Sequence, residues 1–164
     1  MLNKHLFSYY NVGMRRKDRE VKEIDEILKI VDKCKVCRIA MYDKHGLYIV
    51  PMNFGYKYDD KLTLYFHSSY EGRKISALNQ RVAFEMDCSH DLVEASSPCA
   101  YSYLYQSVIG EGIAIEVKDN EKNEALQLIM KHIANKEYEL NDKMCQSVLV
   151  FKIEVDKISG KSHI

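Results

Sequence analysis

Between residues 36 and 67 the chain alternates strand-like runs with breaks of a few polar residues, and this spacing is what most limits the fold. Val36 to Tyr42 reads as a strand and Asp43-Lys44-His45-Gly46 as a turn. Residues 47–58 read as a second β run, Asp59-Asp60 as another turn, and 61–67 as a third strand. Pro51 lies inside the second run and cannot donate a ladder hydrogen bond, so that strand is expected at an edge or with a bulge; Gly55 allows a close backbone approach. Further strands are expected at 81–87, 101–117 and 147–156, with a polar loop over 88–100. Val21, Ile24, Ile27, Leu28 and Val31 fall on one face of a helix over 18–33, with Asp18 placed to cap it. A second amphipathic helix is expected over 120–135, capped by Asp119. Six strands joined mostly by short turns predict a mainly β, α+β domain whose antiparallel sheet tends to close into a barrel.

The length of 164 residues fits one domain, and no repeat or dividing linker interrupts it. Residues 1–13 read as an N-terminal extension and 14–164 as the domain. Twenty-four basic side chains balance 24 acidic ones, which argues against nucleic acid or an acidic membrane as the partner. No apolar run approaches the roughly 18 residues that span a bilayer. The N-terminus lacks the apolar core and cleavage site of an export signal. Five scattered cysteines point to reduced thiols, and so to a cytoplasmic protein.

The stretch LYFHSSYEGRKISAL, residues 64–78, starts as a strand, passes through hydroxyls and a glycine, and opens a helical pattern with two cations. Free amides at a helix start, Ser68 and Ser69 hydroxyls, a permissive Gly72, and Arg73 or Lys74 together make a candidate phosphate cradle. An ordinary capped helix with solvated cations gives the same pattern. His67, where the strand meets the loop, is a candidate hydrogen-bond donor or general acid, or a structural histidine. Tyr101, Tyr103 and Tyr105 alternate on one face with Ser107, as core packing or as a stacking surface. Cys34 and Cys37 form a Cys-x-x-Cys that precedes a strand rather than opening a helix, the wrong setting for an active dithiol. Cys88 and Cys99 do not supply the second close pair of a zinc knuckle, so no metal site is expected. Ser159-Gly160-Lys161-Ser162 lacks the earlier glycine of a nucleotide loop, since Val155 stands there.

Taken in order, MRRKDREV, CRIAMYDKHGLYIVPMNFGYKYDDKLTLYFHSSYEGRKI and YSYLYQSVIGEGIAIEV resemble the pyridoxamine-5′-phosphate-oxidase-related flavoproteins, in particular their nitroimidazole-resistance reductase branch. The resemblance covers about residues 14–161. It implies a split β-barrel homodimer with flavin mononucleotide, or the dinucleotide, in the interface. It implies that His67, Ser68, Gly72 and Lys74 hold the ribityl phosphate, with Arg73 beside them. Pro51, Asn53, Phe54 and Gly55 would then lie along the isoalloxazine ring, and Arg38 would contact the phosphate or the ring edge. Tyr105 and Ser107 would approach from the partner subunit, and His67 would stand near the reactive face. The function implied is reduction of small organic acceptors, nitroimidazole or nitroaromatic compounds among them, with reduced nicotinamide cofactor or another cellular donor. A non-catalytic flavin- or haem-binding sensor or store is the alternative on the same barrel.

Overall fold

A computed structural model of the chain describes residues 14–164; the expected extension over 1–13 lies outside the described residues. After a 3-10 turn at Lys17–Arg19 come strand β1 (Glu20–Val21) and helix α1 (Ile24–Lys33). Four strands follow: β2 (Cys37–Asp43), β3 (Gly46–Met52), β4 (Gly55–Tyr58) and β5 (Leu62–Ser68). A 3-10 turn at Arg73–Ala77 leads to the long strands β6 (Arg81–Val93) and β7 (Ser102–Glu116). Helices α2 (Lys122–Ala134) and α3 (Asp142–Gln146) precede the last strand, β8 (Leu149–His163).

All the strands belong to one antiparallel sheet with the order β3-β2-β6-β7-β8-β5-β4, and β1 pairs with β8. The strands at the two ends of that order, β3 and β4, are neighbours in sequence, joined only by Asn53 and Phe54. The sheet is therefore curled into an open, split barrel. Two glycines permit the curl where β7 crosses its neighbours. A β-carbon at Gly110 would strike the Phe84 ring, and one at Gly112 would strike the Glu154 carbonyl, beside the register shift between Glu111 and Gly112. Inside the curl Ile39, Leu64, Phe66, Phe84, Met86, Val108 and Ile153 are buried, with Phe66 stacked on Phe151 at 5.1 Å between ring centres. Helix α1 adds Ile27, Ile30 and Val31 to this core.

Several elements depart from the sequence reading. The expected six strands are eight among the described residues. The 47–58 run breaks because Phe54 turns fully into the core, and Glu20–Val21 contributes a short strand of its own. Asp18 does not cap α1: its carboxylate takes two hydrogen bonds from Arg16, and the helix begins behind Glu23 with no side-chain cap. Asp119 does not cap α2 either; it sits in a preceding 3-10 turn and pairs with Lys122 Nζ at 2.9 Å. The expected loop over 88–100 is half strand, because Asp91, Leu92 and Val93 find ladder partners in Leu104, Tyr103 and Ser102. β8 runs on to His163, since β7 is long enough to pair with it that far. The helix expected after Gly72 is a 3-10 turn, closed by Asn79 in a left-handed conformation whose amide donates to the Ala114 carbonyl.

Candidate functional site

Residues directly opposite one another across a ladder share a face of the sheet. Arg38 faces Pro51 on β3 and Glu85 on β6; Asp87 faces Ser107 on β7, and Tyr105 faces His163 on β8. Arg38, Pro51, Tyr105 and Ser107 therefore lie on one face, the one turned away from the core. Arg38 is held there by two carboxylates, with Nη1 2.5 Å from Asp87 Oδ1 and 3.0 Å from Glu85 Oε2. His90 Nε2 meets the other oxygen of Asp87 at 2.7 Å. Partial burial and the neighbouring Asp87 charge push the Glu85 carboxyl above its ordinary range. Glu85, Asp87 and His90 were not singled out from the sequence. The alternation of Glu85 and Asp87 in RVAFEMD, on the expected strand beside an arginine-bearing one, was the available signal.

The segment that follows β5 starts beside β8 at His67 and Ser68 and reaches the other end of β2 through Arg73. His67 is exposed and Ser68 is buried. Ser68 Oγ donates to the Ser69 carbonyl and Ser69 Oγ to the Glu71 carbonyl, each at 2.8 Å, so both hydroxyl protons are spent on the loop itself. Gly72 has φ 115°, and no atom lies within 4 Å of the position a β-carbon would take. That conformation is costly for any other residue and leaves the backbone open to solvent. The amides of Arg73 and Lys74 enter no backbone hydrogen bond among the described residues. Arg73 is committed elsewhere. Its Nε and Nη2 donate to the two Asp43 oxygens at 2.7 Å, Nη2 also donates to the Gly46 carbonyl at 3.0 Å, and the guanidinium lies over the Tyr48 ring. The arginine, helped by the His45 amide, holds the Asp43 carboxyl well below the usual carboxylate range. Lys74, half-buried, makes no ion pair among the described residues. A hollow of about 580 Å³ opens on the Arg73 side of the turn, lined by Asp43, Lys44, His45, Arg73, Ser76 and Gln80, and Lys74 is not part of its lining. At the turn itself, two unpaired amides and an open glycine stand next to Lys74 in the chain, a set of donors that suits a terminal phosphate.

The bend between β3 and β4 points its side chains away from both places. Asn53 Nδ2 donates to the Lys35 carbonyl at 2.8 Å. Phe54 is fully buried, 4.6 Å from the His132 ring. Gly55 packs so closely on α2 that a β-carbon would strike the backbone of Leu128 and Ile129. The close approach foreseen at Gly55 thus serves the helix. Below the bend a cleft of about 610 Å³ is lined by Asp32, Lys35, Tyr56, His132 and Asn135, among others, and by none of the expected site residues. Cys34 ends α1 and Cys37 opens β2; burial pushes both thiols well up, and Cys34 is raised further by the Cys88 thiol beside it.

The expected residues therefore do not converge on one place: Asn53, Phe54 and Gly55 lie apart, and the rest are split between the outer face and the Arg73–Lys74 loop. Ser107 lies level with a point two residues before Arg38, while Arg73 is bound to Asp43, five residues after Arg38. Seven residues of strand span about 23 Å, so within one chain Ser107 does not reach the Arg73–Lys74 loop.

The family model described as pyridoxamine 5′-phosphate oxidase matches residues 23–162. Among solved structures, a candidate 5-nitroimidazole antibiotic resistance protein from Bacteroides thetaiotaomicron VPI-5482 is 34% identical over 87% of this chain and 85% of its own, with a TM-score of 0.75. Two more distant structures share the fold. A flavocytochrome from Azotobacter vinelandii is 16% identical, covering 93% of this chain and 72% of its own, with a TM-score of 0.77. An FAD- and haem-binding protein from Mycobacterium smegmatis is 18% identical, covering 88% of this chain and 73% of its own, with a TM-score of 0.74. No curated protein matches the sequence. Among the described residues no helix is long and apolar enough to cross a membrane, and no group of three or more His, Cys, Asp or Glu is placed to hold a metal ion.

Proposed function

Because this chain belongs to the pyridoxamine 5′-phosphate oxidase family, matched over residues 23–162, we propose that it is a flavin-dependent oxidoreductase that reduces small organic acceptors. Nitroimidazoles and other nitroaromatic compounds are the acceptors its 34% identity to the Bacteroides protein favours. The observation that carries the reading is the uncommitted Lys74 beside the open, left-handed Gly72. There the chain offers a phosphate a full charge and free amides at one point.

The flavin, when bound, supplies the redox chemistry, so the protein needs no nucleophile of its own. Its residues bind and orient. Lys74 and the amides of residues 73 and 74 would hold the ribityl phosphate, which the mononucleotide and the dinucleotide carry at the same position. Arg73, locked to Asp43, fixes the loop rather than the ligand. Arg38, shared between Glu85 and Asp87, sets a cation and two carboxylates on the outer face where Pro51 lies. His67, exposed at the end of β5 and without a side-chain partner among the described residues, would donate a proton to the reduced acceptor. Reduced nicotinamide cofactor is the simplest electron source.

The test is anaerobic mixing of purified protein, reconstituted with flavin, with reduced nicotinamide cofactor and a nitroimidazole. Nitro-group loss over many cycles is expected, and His67→Ala should keep the bound flavin while lowering turnover. One bleaching event without turnover would sink the enzymatic reading and leave a flavin store. A Soret band in the protein as isolated would point instead to a haem carrier, for which the same exposed His67 could serve as an axial ligand.

A further inference from the structure

The close Cys-x-x-Cys spacing hides a pairing between distant cysteines. The register of β2 on β6 sets Arg38 opposite Glu85; carried one and three steps further, it brings Cys37 level with Met86 and residue 35 level with Cys88. Cys88 ends the core-facing run of β6 that begins with Val82, Phe84 and Met86. Past it the register shifts, and residues 91–93 pair with 102–104 as a two-stranded arm. Cys34, where α1 ends, lies against Cys88 and shares a side-chain hydrogen bond with it. Cys37 faces the core and is sealed from water. The Cys34–Cys88 pair is asymmetric. Cys34 is 1% exposed, whereas Cys88 is partly open to solvent. Polar donors stand next to the open sulfur. Ser89 Oγ is 3.6 Å from Cys88 Sγ and 3.2 Å from Gln106 Oε1. Gln106 lies across the ladder from Cys88, and the same oxygen accepts from Lys33 Nζ at 2.9 Å. Burial pushes the Cys34 thiol up, so this sulfur stays protonated until the other has reacted.

We propose that Cys34 and Cys88 are a hydroperoxide-reactive dithiol that closes reversibly into a disulfide between the end of α1 and the root of the arm. In the first step the Cys88 thiolate attacks one oxygen of the hydroperoxide. An S–O bond forms, the O–O bond breaks, and the leaving oxygen takes a proton from solvent, as water when the oxidant is hydrogen peroxide. Cys88 is then a sulfenic acid. In the second step the Cys34 sulfur attacks the Cys88 sulfur. The S–S bond forms, the S–O bond breaks, and the departing hydroxide leaves as water with the Cys34 proton. A pair of electrons has passed from the sulfurs to the peroxide. An external dithiol of low potential restores both thiols by exchange. The roles follow from position: solvent reaches Cys88, and Cys34 is already in contact to resolve it. Neither step uses a flavin, so the inference stands apart from the proposed function. The bond would enclose β2 to β5 in one covalent loop and pin α1 to the strand that carries Glu85 and Asp87.

The test uses the full chain with the exposed Cys99 replaced, Cys99→Ser, so that the loop cysteine takes no part. Equimolar hydrogen peroxide should remove two free thiols, and dithiothreitol should restore them. Trypsin cuts after Lys35 and so separates Cys34 from Cys37. Mass spectrometry of the unreduced digest should find the Cys34 peptide joined to the Cys88 peptide. A Cys34–Cys37 link, an unchanged thiol count, or Cys88 carried on to sulfinic acid without pairing would each overturn the proposal. Adding Cys34→Ser removes the resolving thiol, and dimedone should then tag Cys88 in the peroxide-treated chain. A chain that stays folded and takes no tag would show that peroxide does not meet Cys88, and would overturn it too. The oxidised parent chain should melt about 5 °C or more above the reduced one, since the bond closes a long loop of the unfolded chain. A midpoint that stays or falls on oxidation would mean that the native fold does not accommodate the bond.

Discussion

Strand β6 presents two unlike faces within seven residues. Inward, Val82, Phe84 and Met86 are all but sealed from water. Outward, Ala83, Glu85 and Asp87 lie on the face with Arg38, Ser107 and the exposed Ile109. The inner face is finished: its apolar side chains meet α1, β5 and β8 and leave nothing for a ligand. The outer face is unfinished, with a cation shared between two carboxylates and apolar side chains in water. The strand's period of two thus separates what holds the chain together from what the chain offers to other molecules.

Shortening Phe84 tests the finished face most severely. Its buried ring fills the space that Gly110 leaves open. Phe84→Ala should cost about 3–5 kcal/mol of stability, read by urea or thermal unfolding. A loss below about 1 kcal/mol would mean that the barrel interior is not packed as described.

The next test concerns the ligand end. Lys74→Ala should leave the unfolding midpoint nearly unchanged, since Lys74 makes no ion pair among the described residues. It should weaken flavin retention by about 1.5–3 kcal/mol, the worth of a charged hydrogen bond to phosphate, or roughly 10- to 150-fold in Kd by fluorescence titration. Equal flavin affinity in the variant would remove Lys74 from the site. A fall in stability instead would move it to the structural side of the comparison.

This division also explains what could be read from the residues alone. The inner face announces itself by alternation, so RVAFEMD, SVLVFKIEVD and the short turns Asp43–Gly46 and Asp59-Asp60 sufficed for an antiparallel, barrel-like sheet. Caps and ends were less legible. Asp18 and Asp119 are good capping residues in the abstract, but basic neighbours two and three residues away, Arg16 and Lys122, claim their carboxylates. The arm past Cys88 reads as loop because its strand residues, Asp91 to Val93, bury nothing within the chain and so show no core pattern. At the candidate site, composition finds the loop but not its commitments. Arg73 and Lys74 are adjacent cations, and only the position of Asp43 across the turn separates the strut from the free charge.

The smallest expected effect is also the sharpest probe of the outer face. Glu85 is partly buried next to Asp87, and its carboxyl is raised above 4.5 in spite of Arg38. A raised acid means that the folded chain holds the proton more tightly than the unfolded chain. Ionising Glu85 therefore costs stability, and that cost grows as pH rises through the shifted value. Glu85→Gln keeps the shape, removes the charge and leaves Arg38 to Asp87. The variant should match or exceed wild type at neutral pH by less than about 1 kcal/mol, and the gap should close as the pH falls below the usual carboxylate range. Were the variant less stable at neutral pH, the pair with Arg38 would outweigh the burial of the charge.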